Sequence, residues 1–137
     1  MEHRTARIFL VEDSSDDEYF IRRAMSRLFP TIEIEVASNG FDAVQRISDP
    51  EFELPDLMLV DIRLPRVNGL EVLEAIRANP RFTSTPVVML TSSDERSDID
   101  GAYARGANGY VRKPVQFDEY VERFTALLHY WLKINSN

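Results

Sequence analysis

Cysteine is absent from the 137-residue chain, which excludes disulfides, thiolate nucleophiles and cysteine-held metals. Its absence fits a reducing compartment, and a cytoplasmic protein is expected. Positive charge is in deficit: 16 Lys and Arg stand against 23 Asp and Glu, a formal net charge of −7. An acidic surface repels phosphate backbones, so no nucleic-acid partner is expected. Long apolar runs are missing too. None approaches the ~20 residues of a membrane span, and the apolar stretch in "MEHRTARIFLVEDSS" is short and ends in acids. Neither a membrane partner nor a signal peptide is expected. There is no internal repeat, low-complexity stretch or linker. A chain of this length buries roughly 68% of the surface it exposes when unfolded, so it needs no structural metal. One domain is expected over 1–137, with a core of about 6–132 and no output domain.

What is present is alternation. Short apolar runs, "RIFLVE" (7–12), "IEIEVA" (32–37), "DLMLVD" (56–61), "TPVVMLTSS" (85–93) and "ANGYVRKP" (107–114), read as strands. Between and after them lie segments of helical spacing: 14–29, 39–48, 69–80, 94–106 and 115–134. Ser15 and Glu18 suggest a capping box for the first helix. Phe41, Val44 and Ile47 suggest the inward face of the second, and Leu70, Leu73 and Ile76 that of the third. Five strands alternating with five helices imply an α/β fold, a doubly wound five-stranded parallel sheet covered on both faces. In such sheets ligands bind beyond the carboxyl ends of the strands.

Those ends are polar. The first strand ends in Glu12-Asp13, the third in Asp61, the fourth in Thr91, and the fifth runs into Lys113-Pro114. Each feature alone is ordinary turn or cap chemistry. Together they are three carboxylates, a hydroxyl and an ammonium brought to one rim. Carboxylates that close stay ionised only when a cation joins them. Oxygen ligands suit Mg²⁺, which keeps waters and shares itself with phosphate. An aspartate can attack phosphorus to form an acyl phosphate, while a metal and a lysine neutralise the phosphoryl oxygens.

The elements "LVEDSSDD", "DLMLVDIRLPRVNG", "VVMLTSS" and "GYVRKP" resemble the receiver domain of two-component response regulators, over almost the whole chain. The resemblance implies a flavodoxin-like (βα)5 fold with strand order 2-1-3-4-5. It implies Asp61 as phosphoacceptor. Asp13 and Asp61 would ligate Mg²⁺ with the backbone carbonyl of Arg63, and Glu12 through a metal-bound water. Thr91 and Lys113 would bind phosphoryl oxygens, with Thr91 and Tyr110 as the switch pair. Lys113-Pro114 would be a cis peptide, and Asn68-Gly69 a turn in which glycine supplies backbone freedom. Glu12 replaces an aspartate common in such domains. Arg63 is large and cationic for its place and is a candidate to pair with Glu12 or to shield the acyl phosphate. The acidic runs 16–18 and 94–100 read as solvated faces, and His3 and His129 as surface residues.

The implied function is that of a stand-alone response regulator. It takes a phosphoryl group from a histidine kinase and signals through a downstream protein target, promoting only its own phosphorylation and dephosphorylation rather than acting as an enzyme. Two alternatives compete: an unphosphorylated docking receiver, and a Mg-dependent aspartyl-phosphate phosphohydrolase. The second is disfavoured because no segment is long enough for a cap. The stretches "VEDSSDD", "DPEFELPD", "RANPRFTSTPVVMLTSSD" and "LLHYWL" resemble receivers paired with phytochrome-type histidine kinases. The last helix carries an apolar stripe and spans about 27 Å from Val115 to Leu132 at 1.5 Å per residue, longer than a strand of about 17–20 Å. Its end is expected to overhang the sheet and to support a homodimer through Phe124, Leu128 and Trp131.

Overall fold

A computed structural model describes residues 5–28, 31–92 and 95–134. The chain runs β1 (Arg7–Val11), α1 (Ser15–Leu28), β2 (Glu33–Ala37), α2 (Gly40–Ser48), β3 (Leu57–Asp61) and α3 (Gly69–Ala78). It continues through β4 (Val87–Thr91), α4 (Arg96–Ala104), β5 (Gly109–Arg112) and α5 (Phe117–His129). All strand pairings are parallel, in the order β2-β1-β3-β4-β5. The expected α/β architecture and strand order are therefore present.

Strand alternation divides the core in two. Phe9, Val11, Met58, Val60, Val87 and Met89 face α2, α3 and α4, where they meet Ala43, Ile47, Val72, Leu73, Ile76 and Ala102. Ile8, Leu10, Leu57, Leu59, Val88 and Leu90 face α1 and α5, where they meet Ile21, Met25, Tyr120 and Phe124. Burial on both faces explains why β3 and β4 are unbroken apolar runs. β2 lies at the sheet edge and carries Glu33 and Glu35 outward.

Several local expectations change. Ser14, not Ser15, opens α1: its hydroxyl accepts from the Asp17 amide at 3.2 Å and its carbonyl from the Glu18 amide at 3.0 Å. The inward face of α2 is Gly40, Ala43 and Ile47, while Phe41 is 59% exposed. Asn39 caps α2 through the Asp42 amide at 2.7 Å, and it is Gly40 that packs inward, where a Cβ would lie 2.0 Å from the Val67 carbonyl oxygen.

The α5 expectations are corrected most. The α-helix ends at His129, and Tyr130–Ile134 form a π turn rather than further α-helix. Phe124 and Leu128 are both 0% exposed, buried against α1 and the sheet, and offer nothing to a second copy. Trp131 does not overhang. It packs half-buried on the same cluster, and a Cβ built on Gly109 of β5 would lie 3.5 Å from its ring. The wider π turn brings the ring back over the edge of the sheet. At this end Tyr130 is the exposed aromatic. His129 is exposed as expected; His3 lies outside the described residues.

Trp131→Ala is expected to lower the unfolding free energy by about 2 kcal/mol, less than the loss for a fully buried tryptophan. Denaturant titration checks this; an unchanged midpoint would show that the ring contributes no packing.

Candidate functional site

Strand order places the reversal of winding at β1 and β3, because the chain passes from β1 to β2 on one side and returns to β3 on the other. The carboxyl ends of β1 and β3 therefore border the crevice. Glu12 and Asp13 follow β1, and Asp61 is the last residue of β3. Lys113 follows β5 and is drawn in by its amide, which donates to the Thr91 carbonyl at 2.7 Å. The structure thus brings together Glu12, Asp13, Asp61, Thr91 and Lys113.

Glu12, Asp13 and Asp61 can each present a carboxylate oxygen within 4.8 Å of the others. Glu12 and Asp61 are buried, Asp13 exposed. Lys113, its side chain only 8% exposed, places Nζ 2.7 Å from Glu12 Oε1 and 3.0 Å from Asp61 Oδ2. The Asp61 contact is an aligned hydrogen bond. The Glu12 contact is an ion pair without that alignment, so buried Oε1 has no hydrogen-bond donor. Glu12 Oε2 accepts from the Ser14 amide at 3.1 Å, and Asp61 Oδ1 from the Arg63 amide at 3.0 Å. An all-oxygen donor set with one buried oxygen lacking a donor fits a hard divalent ion.

Electrostatics follow from burial. Burial pushes the Glu12 carboxyl up to about 8; Lys113 opposes the rise and Asp61 adds to it. Burial pulls the Lys113 ammonium down, but the charges of Glu12 and Asp61 outweigh this and hold it above its ordinary value.

The loop after β3 is shaped by one close approach. Gly69 donates its amide to the Ile62 carbonyl at 2.9 Å, and a Cβ at Gly69 would lie 2.0 Å from the Asp61 carbonyl oxygen. Room, not left-handed backbone, is what demands glycine there. The left-handed residue of this loop is Arg66, with φ 64°. Asn68 and Glu71 form a reciprocal capping box that starts α3.

Other expectations are revised. No peptide bond among the described residues is cis, so Lys113-Pro114 is trans. Trans is the lower-energy isomer by about 0.5–1 kcal/mol, and Lys113 reaches the carboxylates from it. Arg63 pairs with neither Glu12 nor the site. Its guanidinium lies 2.6 Å from Asp98 and 3.9 Å from Glu95, at the start of α4. Asp98 is the nearer partner because the Asp61–Arg63 amide contact fixes where the side chain leaves the loop. Thr91 is fully buried, and Tyr110 is half-buried against the α3–α4 side of the core.

Sequence reasoning missed two residues. Asp17, read as part of a solvated run, puts Oδ2 2.9 Å from Lys113 Nζ. Tyr120 of α5, read only as an apolar stripe member, donates its hydroxyl to Asp17 Oδ1 at 2.7 Å. The available signal was position: Asp17 lies in the first turn of α1, at the end of the helix nearest the strand ends.

Residues 8–125 match the response regulator receiver domain. The chain is a receiver domain of the response regulator family. A probable methanogenesis regulatory protein, FilR2 of Methanothrix harundinacea, is 37% identical over 131 residues, covering 93% of this chain and 84% of FilR2. The structure of the phosphorylated cyanobacterial phytochrome response regulator RcpA superposes with a TM-score of 0.91 at 28% identity, covering 97% and 98% of the two chains. Response regulator Rcp1 of Synechocystis sp. is 29% identical over 130 residues, covering 92% of this chain and 88% of Rcp1. Its Mn²⁺-bound form superposes with a TM-score of 0.87 at 27% identity over 96% and 97% of the chains. The receiver thus has a phytochrome response regulator, RcpA, among its structural neighbours. No helix among its described residues is long and apolar enough to cross a membrane.

The Glu12 shift gives a pH prediction. Without metal, the folded receiver keeps a proton on Glu12 between pH 4.5 and about 8 that the unfolded chain has released. That contribution to stability is complete below 4.5 and is lost as pH rises toward 8. A divalent ion competes with the same proton. The rise in Tm on adding Mg²⁺ is therefore expected to grow with pH across this window, and Glu12→Gln to flatten the dependence. A Mg²⁺ effect independent of pH in the wild type would contradict it.

Proposed function

We propose that this receiver takes a phosphoryl group from a histidine kinase onto Asp61 in a Mg²⁺-dependent reaction and signals through phosphorylation-dependent protein contacts. The single observation that supports this most is the placement of Asp61: at the end of β3, within the carboxylate cluster and hydrogen-bonded to Lys113 at 3.0 Å. Asp13 and Asp61 would hold the ion with the Arg63 carbonyl, and Glu12 would reach it through a water. A bound Mg²⁺ supplies positive charge that lets three carboxylates stay ionised together and screens an incoming phosphoryl group.

A carboxylate oxygen of Asp61 attacks phosphorus. The phosphorus–nitrogen bond to the donor histidine breaks as the acyl phosphate bond forms. Lys113 faces the phosphoryl oxygens with its ammonium, and the Thr91 hydroxyl donates to one of them. The modification adds about −1.5 to −2 charges at the rim. Movement of Thr91 toward that charge would open space beside β4 for Tyr110, changing the face formed by α4 and β5.

The partner we favour is a phytochrome-type kinase, because RcpA, a structural neighbour over almost the full chain, is a phytochrome response regulator. If a second copy associates at the end of α5, the exposed Tyr130 is the ring available to it.

Incubation with acetyl phosphate and Mg²⁺ should add one phosphoryl mass to the wild type and none to Asp61→Asn, whose circular dichroism should be unchanged. A wild type that gains no mass favours the docking receiver. Steady turnover of a small phosphate ester, lost in Asp61→Asn, favours the phosphohydrolase. Faster transfer from a phytochrome-type kinase than from unrelated histidine kinases would support the partner.

A further inference from the structure

Lys113 touches three carboxylates, and one of them is outside the metal cluster. Asp17 has both oxygens engaged: Oδ2 with Lys113 Nζ at 2.9 Å, Oδ1 with the Tyr120 hydroxyl at 2.7 Å. Its amide is tied to Ser14 Oγ at 3.2 Å. Tyr120 is itself held. Its ring stacks on Phe124 with centroids 5.0 Å apart and packs on Phe20 at 5.2 Å. The chain of contacts runs Phe124, Tyr120, Asp17, Lys113, Asp61, and it joins the α1–α5 core to the rim.

The other two partners of Lys113 are poor anchors. Glu12 and Asp61 belong to the carboxylate cluster, so a bound ion or phosphoryl group redirects their charge. Asp17 lies outside that cluster and keeps its charge for the lysine. We infer that Asp17, fixed by Tyr120, is a positioning residue that anchors the Lys113 ammonium beside Asp61 before and after metal and phosphoryl group arrive. This deepens the proposed function and rests on it. Without the anchor, Nζ is left to Glu12 and Asp61 alone, which it already touches at 2.7 and 3.0 Å, and there it competes with the divalent ion for both. Burial pushes the Asp17 carboxyl up, but hydrogen bonds from Lys113 and Tyr120 outweigh it and hold the group below its ordinary value, as an ionised anchor requires.

The test uses the full chain, acetyl phosphate and saturating Mg²⁺, with phosphorylation followed by intact mass. Asp17→Asn is expected to slow phosphorylation about tenfold, the scale of one lost hydrogen bond between charged groups. Asp17→Glu should recover part of the rate. Tyr120→Phe, which keeps the ring packing, should slow it about threefold, the scale of one lost neutral donor. A second measurement separates anchoring from simple loss of negative charge: Mg²⁺ affinity by calorimetry. Asp17→Asn should weaken Mg²⁺ binding in the wild-type background and leave it unchanged in Lys113→Gln. An equal weakening in both backgrounds, or a folded Asp17→Asn phosphorylated at the wild-type rate or faster, overturns the inference. Failure of the wild type itself to gain phosphoryl mass defeats the Asp61 reading alone. The Mg²⁺ comparison then still decides whether Asp17 acts through Lys113.

Discussion

A single ammonium among carboxylates is the interaction on which this site depends. Glu12 and Asp17 flank the β1–α1 turn and Asp61 ends β3, and Lys113 Nζ lies within 3.0 Å of an oxygen of each. Two like charges 4 Å apart repel by about 4 kcal/mol at an effective dielectric near 20. Several such repulsions at a buried rim would open it, or would protonate the group that water reaches least. Glu12 is that group, and its raised pKa comes from burial first and from Asp61 second, which one lysine does not offset. The site is therefore short of positive charge by construction, which is the condition under which a divalent ion binds and a phosphoryl group is then tolerated.

The sheet makes this arrangement affordable only at its edge. β3 is buried along its entire length, and every residue before Asp61 is apolar. A carboxylate one pleat earlier, at Leu59, would lie among Leu10, Leu57 and Leu90 with no partner. At the last position it meets the Arg63 amide and the Lys113 ammonium. The close approach of Gly69 to the Asp61 carbonyl holds the following loop under the site. Fold and chemistry meet at that residue: the strand ends on a carboxylate because the crevice begins there.

Magnitudes also decide where a signal can travel. Moving a two-state surface from almost wholly one form to almost wholly the other needs about 5.5 kcal/mol. The Arg63–Asp98 pair links the loop after β3 to α4, but the Arg63 side chain is 56% exposed. Exposed pairs of this kind contribute about 0–1 kcal/mol. That pair can bias α4 and cannot carry the switch. The buried Lys113 contacts are the stronger lever under the proposed function, since a phosphoryl group on Asp61 would compete for the same ammonium, and their far end is Tyr120 in the α1–α5 core.

The divide between what the sequence revealed and what it hid follows contact range. Strand ends were legible because period-two burial and unbroken apolar runs locate them. Once the βα alternation was recognised, Glu12, Asp13, Asp61, Thr91 and Lys113 fell at one rim. Asp17 and Tyr120 were illegible because their meeting spans 103 residues and depends on how α1 packs on α5, which no local pattern encodes. Phe41 was misplaced for a smaller reason: apolar spacing alone put it inward, whereas Gly40 packs against the loop after β3 and takes that face. Trp131 was misplaced because helical rise was extended across a π turn. In each case the error lay where a local departure or a long-range contact overruled a regular pattern. At Asp17 the overruling contact is Lys113 at the strand-end rim, so a residue that looked solvated is tied to the carboxylate cluster through that lysine.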